Sequence, residues 1–118
     1  MTLRILVAED EYVAAFDLCN TFEEAGYEVE GPHAGISSTM LACQKGRPDC
    51  VLLDVELADG PTYELAQKLI DDNLPVILHS ERADMIALAA RFPRATTVAK
   101  PCPPSDLLNA VSRVLTTD

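Results

Sequence analysis

Four short apolar runs in this sequence end in residues that could carry out chemistry together. The acidic triplet Glu9–Glu11 follows the first of these runs, Asp54 follows another, and Ser80 and Lys100 end the last two. Clustered carboxylates repel one another and need a shared cation, and an oxygen-only set without His or thiolate suits Mg²⁺, or Mn²⁺, rather than zinc. A lysine beside them would hold a phosphate as a point charge. The chemistry favoured is therefore that of a metal ion and a phosphate.

Each of these residues also has an ordinary structural interpretation. An acidic triplet after a strand often marks a solvated helix start, where the helix dipole favours carboxylates. A single Asp at a strand end can be a cap or turn residue, and a Lys before Pro is commonly a surface charge. What favours a functional interpretation is the coincidence of four polar signals at four matching strand ends.

These residues are positioned by an alternation of apolar runs and helical patterns. Five runs are expected to be strands: Leu3–Ala8, Glu28–Gly31, Cys50–Leu53, Pro75–Leu78 and Thr96–Ala99. Amphipathic patterns predict five helices: Tyr12–Ala25, Ile36–Cys43, Leu65–Ile70, Ala83–Arg91 and a last helix that Ser105 caps. Right-handed crossovers then produce an α/β fold in which a parallel five-stranded sheet has helices on both faces. In such sheets ligands bind at the carboxyl ends of the strands, where the polar residues lie.

Length and charge limit what the chain can do. Its 118 residues suffice for one compact domain, so we expect a single domain over residues 1–118 with no output domain. The formal net charge of −10 argues against nucleic acid or an anionic membrane as a direct partner, because the nine Lys and Arg residues are scattered. The apolar run at the start is too short for a signal peptide or a membrane span.

The four cysteines are widely spaced and form no CxxC pair: Cys19, Cys43, Cys50 and Cys102. This spacing argues against a zinc site, a redox motif or a secreted disulfide framework. The cysteines are expected to be small buried hydrophobes in a reducing cytosol, and the predicted location is cytoplasmic.

Four segments together resemble the signature segments of the receiver domains of response regulators in two-component signalling. In chain order they are Leu6-Val7-Ala8-Glu9-Asp10-Glu11, Leu52-Leu53-Asp54-Val55, Pro75-Val76-Ile77-Leu78-His79-Ser80 and Lys100-Pro101. Each segment alone is a weak signal, and the set covers essentially the whole chain. The resemblance implies a flavodoxin-like (βα)₅ fold, a three-layer α/β sandwich with strand order 2-1-3-4-5.

The resemblance also assigns roles at the acidic end of the predicted sheet. Asp54 matches the aspartate that accepts a phosphoryl group from a histidine kinase or phosphotransfer protein. Asp10 matches a direct metal ligand, Glu9 an acid that holds metal-bound water, and the carbonyl of Glu56 a further ligand for Mg²⁺ or Mn²⁺. Such a domain is a signalling module rather than an enzyme, although it catalyses its own phosphorylation and dephosphorylation.

Further roles follow for the last two strands. Ser80 matches the hydroxyl that moves to the phosphoryl group, and Lys100 matches the lysine that binds another phosphoryl oxygen. The bond from Lys100 to Pro101 resembles the family's cis peptide. The signal is expected to leave through the face of the fourth helix, fifth strand and fifth helix, towards a protein partner or a second copy of the chain.

Several positions depart from the family's pattern. Glu81 stands where the family usually has a very small residue, and a carboxylate there could repel small anionic phosphodonors. Thr97 stands where an aromatic residue commonly swings inward. The loop after Asp54 looks shortened, with Ala58 where a proline is frequent. Glu56 and Arg82 flank the expected pocket mouth, where the family tunes dephosphorylation, and we hypothesise that they pair across it.

Other interpretations of the same residues stay open. Glu81 and Thr97 favour a receiver-like binding module that works without phosphorylation. Glu9 with Asp54-Val55-Glu56 loosely resembles the acids of toprim nucleotidyl-transfer domains, but the negative charge argues against a nucleic-acid substrate. A flavin-binding protein of this topology would need aromatic or Gly/Ser-rich cofactor loops, and this chain shows neither. His33 and His79 lack suitably spaced second ligands and are interpreted as packed or hydrogen-bonded residues.

Overall fold

Residues 2–116 are described by a computed structural model of the chain. The main sheet contains β1 (Arg4–Ala8), β2 (Glu28–His33), β3 (Cys50–Asp54), β6 (Val76–Glu81) and β7 (Thr96–Lys100), and a two-residue hairpin contains β4 (Glu56–Leu57) and β5 (Gly60–Pro61). The helices are α1 (Tyr12–Glu24), α2 (Ile36–Lys45), α3 (Tyr63–Asp71), α4 (Met85–Arg91) and α5 (Pro104–Thr116), with a 3₁₀ turn at Arg82–Asp84. None of the helices within residues 2–116 has both the length and the apolar character needed to cross a bilayer.

The main sheet is parallel and has the strand order β2-β1-β3-β6-β7. The predicted order 2-1-3-4-5 is therefore confirmed, because β4 and β5 form a separate hairpin. Register pairs Ala8 with Leu53, Asp54 with His79, and Glu81 with Lys100. The carboxyl ends of β1, β3, β6 and β7 are thus aligned at one edge.

Two apolar layers cover the two faces of this sheet. Side chains alternate along each strand, so Val7 and Leu52 pack towards α1 and α5, whereas Leu6 and Leu53 pack towards α2, α3 and α4. Strands buried on both faces need the uninterrupted apolar runs that the sequence shows. Phe22 of α1, with no exposed surface, is the largest side chain that is fully buried.

Some predicted boundaries differ from the structure. The last helix begins at Pro104, and Leu107 N–H donates to the carbonyl of Pro103, so the prediction that Ser105 caps this helix is wrong. Proline suits the first helical position because its φ is preset and it lacks an N–H that would go unpaired there. The fourth predicted helix is divided into the 3₁₀ turn and α4, and β6 extends past Ser80 to Glu81.

The segment after Asp54 is anchored by a contact that is distant in sequence. Asp59, in the β4–β5 turn, accepts hydrogen bonds from the amides of Ile36 (2.7 Å) and Ser37 (3.4 Å). It thereby caps α2, whose own cap residue Gly35 has no side chain to do so. These bonds lower the pKa of Asp59 below its usual value, the bond from Ile36 most strongly. The short loop is therefore tied to the neighbouring helix.

Candidate functional site

Asp54 lies at the end of β3, and hydrogen bonds from three other residues fix its position. Its side chain is nearly buried, with the residue 4% exposed. Lys100 Nζ donates to Asp54 Oδ2 at 2.5 Å, and the amide of Glu56 donates to Asp54 Oδ1 at 3.1 Å. The hydroxyl of Thr62 donates to the Asp54 carbonyl at 2.8 Å. Both carboxylate oxygens are therefore oriented by donors from different parts of the chain.

Three carboxylates converge at this edge, as the spacing predicted. Glu9, Asp10 and Asp54 each place an oxygen within 4.8 Å of the others. Asp10 is exposed and Glu9 is buried, and Glu9 Oε1 has no hydrogen-bond partner among the described residues. An oxygen-only donor set with one orphaned buried oxygen fits Mg²⁺ or a water bound to it. The residues thus fit the metal that the family resemblance implies.

The charged groups of this cluster shift one another's pKa values. The pKa of Glu9 is raised to about 7, mainly by burial and also by Asp54 nearby, against the lowering effects of the Glu11 amide and Lys100. Burial alone would lower the pKa of Lys100, but the hydrogen bond and charge of Asp54, with the charge of Glu9, raise it above its ordinary value. Lys100 Nζ lies 3.6 Å from Glu9 Oε1. Lys100 is therefore the charged partner of both buried acids.

His79 is a site residue that the sequence reasoning did not identify. It is buried one residue before Ser80, and its Nδ1 lies 3.8 Å from Glu9 Oε1. Burial, with help from the charge of Lys100, lowers the pKa of His79 to about 4, so the ring is neutral at pH 7. In the sequence, only its position directly before Ser80 indicates that His79 could lie in the site.

The Ser80 hydroxyl, at the carboxyl end of β6, makes no hydrogen bond with Asp54. Ser80 is 3% exposed, and its Oγ donates to Asp84 Oδ2 at 2.7 Å. Asp84 was not predicted to be a site residue, because in the sequence it is an ordinary acidic residue near the start of a helix.

The residues that depart from the family pattern differ in how far they are exposed. Glu56, Glu81 and Arg82 are all exposed, and no ion pair within residues 2–116 joins Arg82 to Glu56. The hypothesised pairing is therefore not formed here. Thr97 is half-buried and pairs with Leu78 in the sheet. The peptide bond between Lys100 and Pro101 is cis, which confirms that expectation, and a second cis bond precedes Pro32.

The family described as response regulator receiver domain matches residues 5–112. The chain therefore belongs to the response regulator receiver domains, which are signalling domains of two-component systems and generally not enzymes. It is 30% identical over 112 residues to the transcriptional regulatory protein PdtaR of Mycobacterium tuberculosis, covering 92% of this chain and 54% of PdtaR. It is 34% identical over 122 residues to protein Rrf1 of Nitratidesulfovibrio vulgaris, covering 99% of this chain and 86% of Rrf1.

Solved structures agree with this assignment. The non-phosphorylated HemR receiver domain from Leptospira biflexa aligns with a TM-score of 0.85 at 25% identity, covering 99% of this chain and 97% of that one. The response regulator PhyR from Brucella abortus aligns with a TM-score of 0.83 at 28% identity, covering 98% and 48%. The fold is thus flavodoxin-like, as predicted. The chain spans about half the length of two curated relatives, PdtaR and the phyllosphere-induced regulator PhyR of Methylorubrum extorquens.

Proposed function

We propose that this receiver domain accepts a phosphoryl group on Asp54 from a histidine kinase or a phosphotransfer protein and signals through protein contacts. The observation that carries this proposal is the 2.5 Å contact between Lys100 Nζ and Asp54 Oδ2 beside the Glu9, Asp10 and Asp54 cluster. A buried carboxylate oriented by a fixed cation suits phosphoryl transfer, in which positioning and charge neutralisation supply most of the rate.

The residues divide the work of the transfer. An oxygen of Asp54 attacks phosphorus, and the bond from phosphorus to the donor's imidazole nitrogen breaks, leaving its electron pair on that nitrogen. Lys100 offsets the charge on the phosphoryl oxygens, and the Glu56 amide holds the other oxygen of Asp54 in place. Glu9 and Asp10, with Asp54 and the backbone carbonyl of Glu56, would hold Mg²⁺, which supplies further positive charge when bound.

Output is proposed to pass through the face formed by α4, β7 and α5. Phosphorylation adds almost two negative charges to a site next to Ser80, at the end of the strand that leads into α4. Ile86 of α4 is 88% exposed, so α4 has an apolar side chain that is available to a protein partner or a second copy of the chain. The net charge of −10 keeps nucleic acid and anionic membranes outside the proposal, and the proposed location is cytoplasmic.

Intact mass spectrometry after incubation with Mg²⁺ and a phosphodonor tests the proposal directly. The wild type is expected to gain one hydroxylamine-labile phosphoryl group and Asp54→Asn none, because the amide removes the nucleophile. Two donors are needed, acetyl phosphate and a phosphorylated histidine kinase, because the exposed carboxylate of Glu81 lies beside Lys100 in the sheet register and repels small anions.

The same experiment also tests the alternative function, a receiver-like module that works without phosphorylation. Glu81 and Thr97 favour a receiver-like module that binds partners without phosphorylation, since a carboxylate beside Lys100 repels anionic phosphodonors and Thr97 is not an aromatic switch residue. No adduct on the wild type from either donor would favour that module and contradict the phosphorylation proposal. An adduct that persists in Asp54→Asn would place the acceptor elsewhere.

Binding of Mg²⁺ is expected to weaken as the pH falls through neutrality. The pKa of Glu9 is raised to about 7, so lowering the pH from 8 to 6 protonates it, and metal binding must then displace that proton. The expected loss in affinity is about tenfold over this range. His79 does not contribute, because its pKa of about 4 keeps it neutral throughout.

Calorimetric titration at pH 6 and pH 8 measures this effect. Glu9→Gln is the matched control, since it keeps the shape of the side chain but cannot ionise. It should bind Mg²⁺ weakly and with little dependence on pH. Equal affinities of the wild type at both pH values would contradict a role for the Glu9 charge in metal binding.

A further inference from the structure

The Ser80 hydroxyl makes its hydrogen bond with Asp84 and not with Asp54. Its Oγ donates to Asp84 Oδ2 at 2.7 Å, and this is its only hydrogen bond in the described part of the chain. Ser80 is 3% exposed, so water competes little for the hydroxyl. Asp84 itself is exposed, and a hydrogen bond to its charged carboxylate is stronger than one between neutral groups.

The side chain of Asp84 neither caps a helix nor forms an ion pair within residues 2–116. It directly precedes α4, where an Asp side chain commonly accepts hydrogen bonds from the first amides of a helix, yet it makes no such bond. No ion pair formed within residues 2–116 includes it. Its carboxylate is therefore directed at Ser80 alone.

We propose that Asp84 is a positioning residue that holds the Ser80 hydroxyl away from Asp54 until a phosphoryl group competes for it. This inference rests on the proposed function of Asp54 as phosphoacceptor. A hydroxyl has one proton to donate, so Ser80 cannot bond Asp84 and a phosphoryl oxygen at the same time. Breaking the bond to Asp84 is then part of the free-energy cost of engaging the phosphoryl group.

The transfer of the Ser80 hydrogen bond from Asp84 to the phosphoryl group would link the pocket to α4 through only a few residues. Ser80 ends the buried part of β6, and Asp84 ends the 3₁₀ turn that leads into α4. Once Ser80 leaves, the carboxylate of Asp84 is free to accept hydrogen bonds from the first amides of α4. The exchange of hydrogen bonds would thus alter α4, one part of the face formed by α4, β7 and α5. It would not need the aromatic residue that commonly stands at the position of Thr97.

Binding of beryllofluoride, a tetrahedral mimic of the phosphoryl group, tests the inference at equilibrium. Titration calorimetry in the presence of Mg²⁺ should show roughly tenfold tighter binding to Asp84→Ala than to the wild type, because Ser80 is already released. Asp84→Asn keeps an acceptor oxygen without the charge and should fall between the two. Asp106→Ala, which removes an exposed acid from the first turn of α5, is the matched control and should bind like the wild type.

A double-mutant cycle separates the hydrogen bond from simple charge repulsion. In a Ser80→Ala background, Asp84→Ala should change the affinity by less than about twofold, because no hydroxyl remains to be released. An equal gain in both backgrounds, or no gain in either, would overturn the role of Asp84. If the wild type neither binds beryllofluoride nor forms a phosphoryl adduct, the proposed function fails and this inference fails with it. Binding by the wild type that Asp84→Ala leaves unchanged overturns this inference alone.

Discussion

Replacing Lys100 by Met is expected to slow phosphorylation of Asp54 by about 10²–10³-fold while strengthening the binding of Mg²⁺. The ammonium group lies 2.5 Å from Asp54 Oδ2 and 3.6 Å from Glu9 Oε1. During transfer it offsets charge that develops on the phosphoryl oxygens, and a fixed charge in a buried site needs no reorganisation. Its loss therefore raises the barrier to transfer.

The effect on metal binding has the opposite sign. Without a donor, Lys100 and Mg²⁺ share the same buried carboxylates, so the lysine repels the metal ion and competes with it. Two unit charges about 4 Å apart near a protein surface interact by ~4 kcal/mol, and solvent reduces this figure because the lysine is partly exposed. The variant is expected to bind Mg²⁺ at least about fivefold more tightly.

Rapid-quench phosphorylation by a phosphorylated histidine kinase measures the rate, and titration calorimetry measures the affinity for the metal. Lys68→Met is the matched control, since the only ion pair of Lys68 within residues 2–116 is an exposed one with Asp72 at 3.5 Å. Both quantities should stay at wild-type values in that variant. A Lys100→Met protein that loses metal affinity and rate together would show that Lys100 builds the site rather than neutralising charge in it.

Replacing Phe22 by Ala is expected to lower the free energy of unfolding by about 3–5 kcal/mol. Phe22 has no exposed surface and lies among side chains of α1, α5 and the sheet. Its ring meets that of Tyr27 edge to face, with centroids 6.5 Å apart. Removal loses the transfer energy of the ring and leaves a cavity, and a domain is commonly stable by only about 5–15 kcal/mol.

The same helix supplies the control. Phe16 is 58% exposed, so Phe16→Ala should change the free energy of unfolding by no more than about 0.5 kcal/mol. Urea denaturation followed by circular dichroism gives both values, since the chain has no Trp. Similar losses in the two variants would mean that α1 does not bury its Phe22 face against the sheet.

Much of the fold follows from local patterns in the sequence. Strand β3 is a continuous apolar run from Cys50 to Leu53, and α3 repeats apolar residues at helical spacing, so each element is specified by its own residues. Boundaries were predicted less well, because they depend on single residues. Pro104 occupies the first position of α5 and displaces the expected cap at Ser105.

The convergence of Asp54 and Lys100 could also be predicted. Parallel strands joined by right-handed crossovers must align their carboxyl ends, so residues at those ends meet even when they are 46 positions apart. The capping of α2 by Asp59 had no such rule behind it. It depends on how the β4–β5 hairpin folds back, which neither segment specifies alone.

The sequence by itself determined the main strands and helices and the polar residues at the strand ends, and its resemblance to receiver domains implied the order of the strands. Only the tertiary structure decided how those residues are paired and charged. Ser80 bonds Asp84 rather than facing Asp54, and the pKa values of Glu9 and His79 depend on burial by several elements at once. The physical reason is that residue spacing sets the position of the backbone, whereas side-chain orientation and desolvation depend on neighbours that are distant in the chain.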